Sequence, residues 1–105
     1  MKVLFDQGVP VPLRRHLTGH MVDTTFERGW SNLANGKLLE AAEADAYDVL
    51  VTTDQNIKHQ QNLAARHIGV VVLLSTAWPK IRGRVPAIVA AVESAKPGVL
   101  VDVPI

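Results

Sequence analysis

A chain of 105 residues, 48% of them apolar, has the length of one domain and the means to bury a core. The absence of cysteine excludes disulfides, thiolate metal sites and a cysteine nucleophile. A net charge of +1 excludes a protein that holds nucleic acid by bulk electrostatics alone, although a transiently held RNA substrate is still allowed.

Short apolar runs alternate with helical patterns, the signature of βαβ units. The fold expected is α/β: a three-layer α/β/α sandwich with a mainly parallel sheet, formed by residues 1–105 as one domain. Lys2 to Phe5 reads as a first buried strand, with a turn at Asp6-Gln7-Gly8. Pro10 and Pro12 open a helix that turns Leu13 and Leu17 inward, and Gly19 ends it. His20 to Thr24 reads as a second strand, and Phe26 to Trp30 as a loop with room for a helical turn. Asn35 is placed as the N-cap of a helix running to about Asp45, with Leu38, Leu39, Ala42 and Ala46 inside. Asp48 to Thr53 is the third strand. Its consecutive Val49, Leu50 and Val51 fit a parallel strand covered on both faces. A polar helix is expected over Ile57 to His67, docked through Leu63 and Ala64, and a fourth strand over Gly69 to Leu74. Ile81, Val85, Ile88, Val89 and Val92 have helical spacing, with Pro86 either opening that helix or kinking it. Val99 to Val103 is a last strand at a sheet edge, since Pro104 follows it.

In open parallel sheets, ligands sit beyond the carboxyl ends of the strands, where the strand order reverses. Strands one and three are expected to be neighbours at that reversal, which brings Asp6 and Asp54 to adjacent strand ends roughly 4.8 Å apart. Two such carboxylates repel unless a cation lies between them. All-oxygen ligands suit Mg²⁺ or Mn²⁺, which can activate a water and stabilise a leaving oxygen. The same spacing also fits a plainer reading, in which Asp54 caps the following helix and Asp6 holds its turn.

The opening Met1-Lys2-Val3-Leu4-Phe5-Asp6-Gln7-Gly8-Val9-Pro10 resembles that of the small PIN-like proteins grouped as the DUF5615 family. So does Val49-Leu50-Val51-Thr52-Thr53-Asp54-Gln55-Asn56, with its strand ending in a threonine–aspartate motif. The region around Gly29-Trp30, Asn35 to Ala42 and Val70 to Leu74 follow in the same order, so the resemblance covers nearly the whole chain. It implies a metal-dependent ribonuclease related to the toxins of toxin–antitoxin pairs, with three or four acids around Mg²⁺ or Mn²⁺. Asp6 and Asp54 match two of these acids as catalytic and metal-binding residues. Two further acids of the pattern fall on Asn35 and Asn56, which bring no charge, so weaker cation binding and a loss of catalysis are implied. Asn35, Asn56, Gln7 and Gln55 make up the rim. A small antitoxin partner and a homodimer follow from the same resemblance.

A catalytically inactive binding module of the same fold is the alternative that Asn35 and Asn56 motivate. A phosphoacceptor receiver domain ranks last, because Asp6 stands without a second acid and Val99 to Ile105 has no lysine. No apolar run reaches the ~20 residues of a membrane span, and Asp6 interrupts the opening where a signal peptide would stay hydrophobic. The expectation is a cytoplasmic protein without a membrane partner. Glu40 and Glu43 read as solvated, the histidines as surface residues, and Trp30 and Trp78 as packing under loops. Arg14, Arg15, Arg82 and Arg84 are read equally as phosphate contacts or solvated helix charges. The amide-rich run from Gln55 to Asn62 is read as a solvated face or a rim.

Overall fold

The structure is a computed structural model that describes all 105 residues. The apolar runs become five parallel strands: β1 (Lys2–Phe5), β2 (Met21–Thr24), β3 (Val49–Thr52), β4 (Gly69–Leu73) and β5 (Leu100–Val103). Their order is β2-β1-β3-β4-β5, with β5 at an edge. The order reverses between β1 and β3, whose register pairs Val3 with Val49, Leu4 with Leu50 and Phe5 with Val51. The α/β sandwich and its parallel sheet are as expected.

Alternation along the strands divides the core in two. Val3, Phe5, Val49, Val51, Val71 and Leu73 face one layer. That layer is a 3₁₀ helix (Val11–His16) with helices α3 (Trp78–Arg82) and α4 (Val85–Glu93), contributing Leu13, Leu17, Ile81, Ile88 and Val92. Leu4, Leu50, Val70 and Val72 face the other layer, formed by α1 (Asn35–Ala44) and α2 (Ile57–Gln60) with Leu38, Leu39, Ala42, Tyr47, Ile57, Leu63 and Ile68. Each such aliphatic side chain contributes about 1.5–3 kcal/mol on burial. No helix is long and apolar enough to cross a membrane.

Four local expectations are corrected. The helix expected over Ile57 to His67 stops after one turn, at Gln60. Ile57 and Leu63 are its buried residues and lie six apart, so no second apolar contact falls on a helical face; Asn62 Oδ1 instead accepts the Ala64 N–H at 3.2 Å. Ala64 is exposed. Ala46 is also exposed, with φ of 61°, because α1 has ended and the chain reverses to bury Tyr47. Asn35 is the first helical residue and not the cap, which is Ala34, and its side chain is used elsewhere. Finally, the apolar spacing from Ile81 to Val92 is divided between two helices. Gly83 ends α3, and Pro86 sits in the first turn of α4, where its missing N–H costs nothing.

At the amino-terminal rim of the sheet, backbone packs on backbone. Gly98, with φ of 78°, leads into β5, and a Cβ there would lie 2.9 Å from the Ala64 carbonyl oxygen. Its N–H donates to the Ile68 carbonyl at 3.0 Å. Edge strand β2 is covered differently. Tyr47 Oη donates to Asp23 at 2.6 Å and accepts from Arg28 at 2.8 Å, while Arg28 lies 4.4 Å from the Trp30 ring centroid and pairs with Asp45. Glu43, expected in solvent, is instead fixed by Arg66 Nη1 at 3.0 Å and the His67 N–H at 3.2 Å.

Burial, and then the adjacent Asp23 carboxylate, push the Tyr47 phenol up to about 12. It is the chain's one tyrosine, so an ultraviolet titration reads it directly. Its folded value lies above the unfolded value of about 10, so the unfolded chain releases the proton first. This contribution to stability is therefore complete below about pH 10 and is lost as the pH rises toward 12. A phenol titrating like free tyrosine would contradict the buried hydrogen bond to Asp23.

Candidate functional site

Asp6 and Asp54 leave the carboxyl ends of the two strands that meet at the reversal, as expected. The register explains their proximity: the Asp6 N–H extends the β1–β3 ladder by donating to the Val51 carbonyl at 2.9 Å. Thr52, the last residue of β3, is fully buried, and its hydroxyl lies between the two acids. Thr52 Oγ1 donates to Asp6 Oδ2 at 2.8 Å and accepts the Asp54 N–H at 3.1 Å. One hydroxyl thus joins the Asp6 carboxylate to the Asp54 backbone.

Backbone and side-chain amides hold the remaining carboxylate oxygens. Asp6 Oδ1 accepts the Gln7 N–H at 2.8 Å, and Asp54 Oδ1 accepts the Asn56 N–H at 2.9 Å. Asp54 Oδ2 accepts from Asn35 Nδ2 at 2.7 Å, and the same amide nitrogen donates to Gln60 Oε1 at 3.0 Å. Asn35 therefore reaches the site through its side chain. Asn56 and Gln7 reach it through their backbone, and their side chains are exposed, as is that of Gln55. The amide-rich run contributes more than a solvated face, since Gln60 holds Asn35 and the Gln61 side chain lies over Gly36 at the start of α1. Gly8 lets the turn after β1 close against β3, because a Cβ there would run into Thr53 Oγ1.

The donor set is all oxygen and carries two negative charges. No group of three or more His, Cys, Asp or Glu side chains converges in the structure. Mg²⁺ is often bound through only one or two carboxylates and keeps several waters, so the set fits a weakly held, largely hydrated hard cation. Every carboxylate oxygen accepts only one hydrogen bond from the protein, which leaves lone pairs for such an ion or for water.

Beside Asp6 a cavity of about 360 Å³ opens between the ends of β1 and β2. Its wall is a capping box. Thr24 Oγ1 accepts the Glu27 N–H at 3.1 Å, and Glu27 Oε1 accepts the Thr24 N–H at 2.9 Å. Arg14, weighed above as a phosphate contact, is engaged by Glu27 through both terminal nitrogens, at 3.1 and 2.9 Å. The guanidinium holds the Glu27 carboxyl below its ordinary range. Among the other candidates, His20 Nε2 meets Glu93 Oε2 at 2.9 Å, His16 stacks against Trp78 at 6.1 Å, and Arg84 Nε donates to the Pro104 carbonyl at 3.1 Å.

Thr52 and the Thr24–Glu27 box were not singled out from sequence. A signal existed for both: a lone hydroxyl closing an otherwise apolar buried strand, and a threonine followed three residues later by glutamate. Comparison with family models, curated proteins and solved structures gave no match to the chain.

Replacing Thr52 by Val keeps the shape but strands the Asp6 carboxylate and the Asp54 N–H without this partner. Urea denaturation is expected to show a loss of about 1–3 kcal/mol, recovered by Thr52→Ser. Unchanged stability in the Val variant would show that water replaces the hydroxyl.

Proposed function

We propose that the protein is a divalent-cation-dependent phosphodiester hydrolase acting on RNA, with Asp6 and Asp54 as cation ligands and orienters of the attacking water. The observation that carries this reading is the arrival of Asp6 and Asp54 at adjacent strand ends at the strand-order reversal, joined by Thr52, whose hydroxyl bonds the Asp6 carboxylate and the Asp54 backbone N–H. The resemblance to PIN-like nucleases supports it through the same two residues.

The chain's own groups supply positioning. Thr52 fixes the orientation of Asp6, and Asn35 with the Asn56 N–H fixes that of Asp54. Both carboxylates are thus set before substrate arrives, and preorganisation is the part of catalysis that costs nothing at the reacting moment. Mg²⁺ or Mn²⁺ held there would acidify a bound water and offset charge on the leaving oxygen. A free lone pair on Asp6 or Asp54 then holds the water's proton. By the same resemblance, the natural context is a toxin–antitoxin pair in the cytoplasm, with a small antitoxin as partner and self-association of the chain.

One observation favours a second reading, a binding module of the same fold. Asn35 presents an N–H₂ to Asp54, where the PIN pattern has an acid. In that module the amide keeps the acid pair quiet. Strand order alone is shared with receiver domains, but Gln7 follows Asp6 and no lysine follows β5.

Incubation of RNA with the protein and Mn²⁺ is expected to yield cleavage that EDTA stops and that Asp6→Ala or Asp54→Ala lowers about 100-fold or more. Intact RNA after prolonged incubation would favour the binding module. A calorimetric companion separates the two further. Asn35→Asp adds a third charge and is expected to tighten Mn²⁺ binding roughly tenfold, since charge count sets affinity for hard cations. No change in affinity would remove Asn35 from the coordination rim.

A further inference from the structure

The positive charges of the chain are unevenly engaged. Lys2, Arg14, Arg28, Lys37, Lys58 and Arg66 each pair with a carboxylate. Of the remaining lysines and arginines, Lys80, Arg82 and Arg84 stand within one short segment, exposed and without an acidic partner. Between Asp54 and Glu93 the chain has no acidic residue at all. Three like charges this close repel one another, and no ion pair within the chain offsets the repulsion. A segment of this kind is explained by a negatively charged partner more readily than by folding.

The fold puts this segment on the same rim as the acid pair. β4 ends at the carboxyl rim, and residues 74–77 lead directly into α3, which carries Lys80 and Arg82. Arg84 Nε donates to the Pro104 carbonyl at 3.1 Å, and Pro104 follows the carboxyl end of β5. Only β4 separates β3 from β5, so Pro104 lies roughly 10 Å along the rim from the strand that ends in Asp54. The neighbouring elements bring no free acid. The 3₁₀ helix carries only basic charges, β4 carries none, and Asp102 of β5 is engaged by Lys58 at 3.1 Å. Glu93 closes the far end of α4 and meets His20. The segment also lacks the apolar anchor of a lipid-binding surface: Ile81 is buried, and no exposed large apolar side chain lies between Trp78 and Pro86. A positive, exposed surface without such an anchor fits the backbone of a nucleic acid and not a bilayer.

We propose that Lys80, Arg82 and Arg84 form a phosphate track for single-stranded RNA, which holds the backbone flanking the phosphodiester at the acid pair. The inference rests on the hydrolase reading for the identity of the polymer, but the track binds backbone whether or not cleavage follows. Two bare carboxylates repel an arriving phosphate, and a basic segment further along the rim supplies the attraction that they cannot. A net charge of +1 is then no obstacle to an RNA ligand, because the attraction is local. Such contacts position the strand and read no base.

The test uses the full chain with EDTA present, so that no RNA is cut, and a fluorescent oligouridylate of about ten nucleotides as the probe, followed by anisotropy. Three phosphate contacts on a single strand are expected to make the affinity fall about 20-fold between about 50 and 200 mM salt. Lys80→Gln with Arg82→Gln, which leaves Arg84 on Pro104, is expected to weaken binding at the lower salt about tenfold and to shrink the salt dependence to about threefold. Lys96→Gln removes another exposed charge at the opposite rim, where the Lys96 carbonyl packs on Gly69, and is expected to change neither. The track is overturned if the oligonucleotide does not bind at the lower salt, if the double variant binds as the wild type does, or if Lys96→Gln weakens binding as much, which would mark net charge and not a place. Vesicles rich in phosphatidylserine that bind as tightly through the same two residues would reassign the surface to a membrane and overturn it too. Salt-dependent binding by a protein that leaves RNA intact with Mn²⁺ would retire the hydrolase and keep the track. Cleavage by the double variant with an unchanged KM would keep the hydrolase and retire the track.

Discussion

The site depends on one buried hydroxyl. Thr52 sits at the end of a central strand with no exposure, and it is both donor to Asp6 and acceptor from the Asp54 backbone. An aliphatic residue of the same shape would fill the same place beside Val72 of β4 but would remove the partner of Asp6 Oδ2 and of the Asp54 N–H. The hydroxyl therefore links core and surface: its β-branched carbon frame belongs to the strand, and its oxygen belongs to the rim. With it, each of the two like charges is tied by oriented donors on both of its oxygens.

The fold was legible because its strands are continuous apolar runs. Val49-Leu50-Val51 and Val70-Val71-Val72-Leu73 have no polar face, so they are readable only as strands buried on both sides, and parallel pairing with right-handed crossovers follows. The reversal between β1 and β3, and with it the meeting of Asp6 and Asp54, came from that construction. Helix lengths were less legible. The stretch after Ile57 has residues that tolerate a helix, but a helix in a small domain is held by its buried face more than by propensity, and one turn on from Ile57 that face carries the polar Gln60 and Gln61. Pro86 could be read in two ways from sequence, and its role was settled only by Gly83, which ends one helix in time for another to begin.

The site was legible in its acids and opaque in its supports. Asp6 and Asp54 stand out because each follows a strand. By type and place Asn35 reads as a cap, yet its amide crosses to Asp54, a contact that depends on the spacing between α1 and the β3 end and not on any local pattern. Glu43 and Arg66 lie far apart in sequence and pair for the same reason. The Arg14–Glu27 pair joins an arginine readable equally as a phosphate contact or a solvated helix charge to a loop glutamate, and is intelligible only once the 3₁₀ helix and the turn after β2 are side by side.

The two rims of the sheet are built from different materials. Where Gly98 passes Ala64, main chain presses on main chain, and no side chain mediates the contact. Around Asp6 and Asp54 the carboxylates are held by a hydroxyl and by amides, and the turn behind Asp6 closes because Gly8 has no side chain. Changes at the exposed side chains of the carboxyl rim, such as Gln7, Gln55 and Asn56, can thus alter what the molecule recognises while its architecture survives. At the opposite rim even one added methyl group would force the final crossover apart. Such an arrangement leaves a small protein free to vary its outermost polar side chains on one side without disturbing the tight main-chain crossing at Gly98 on the other.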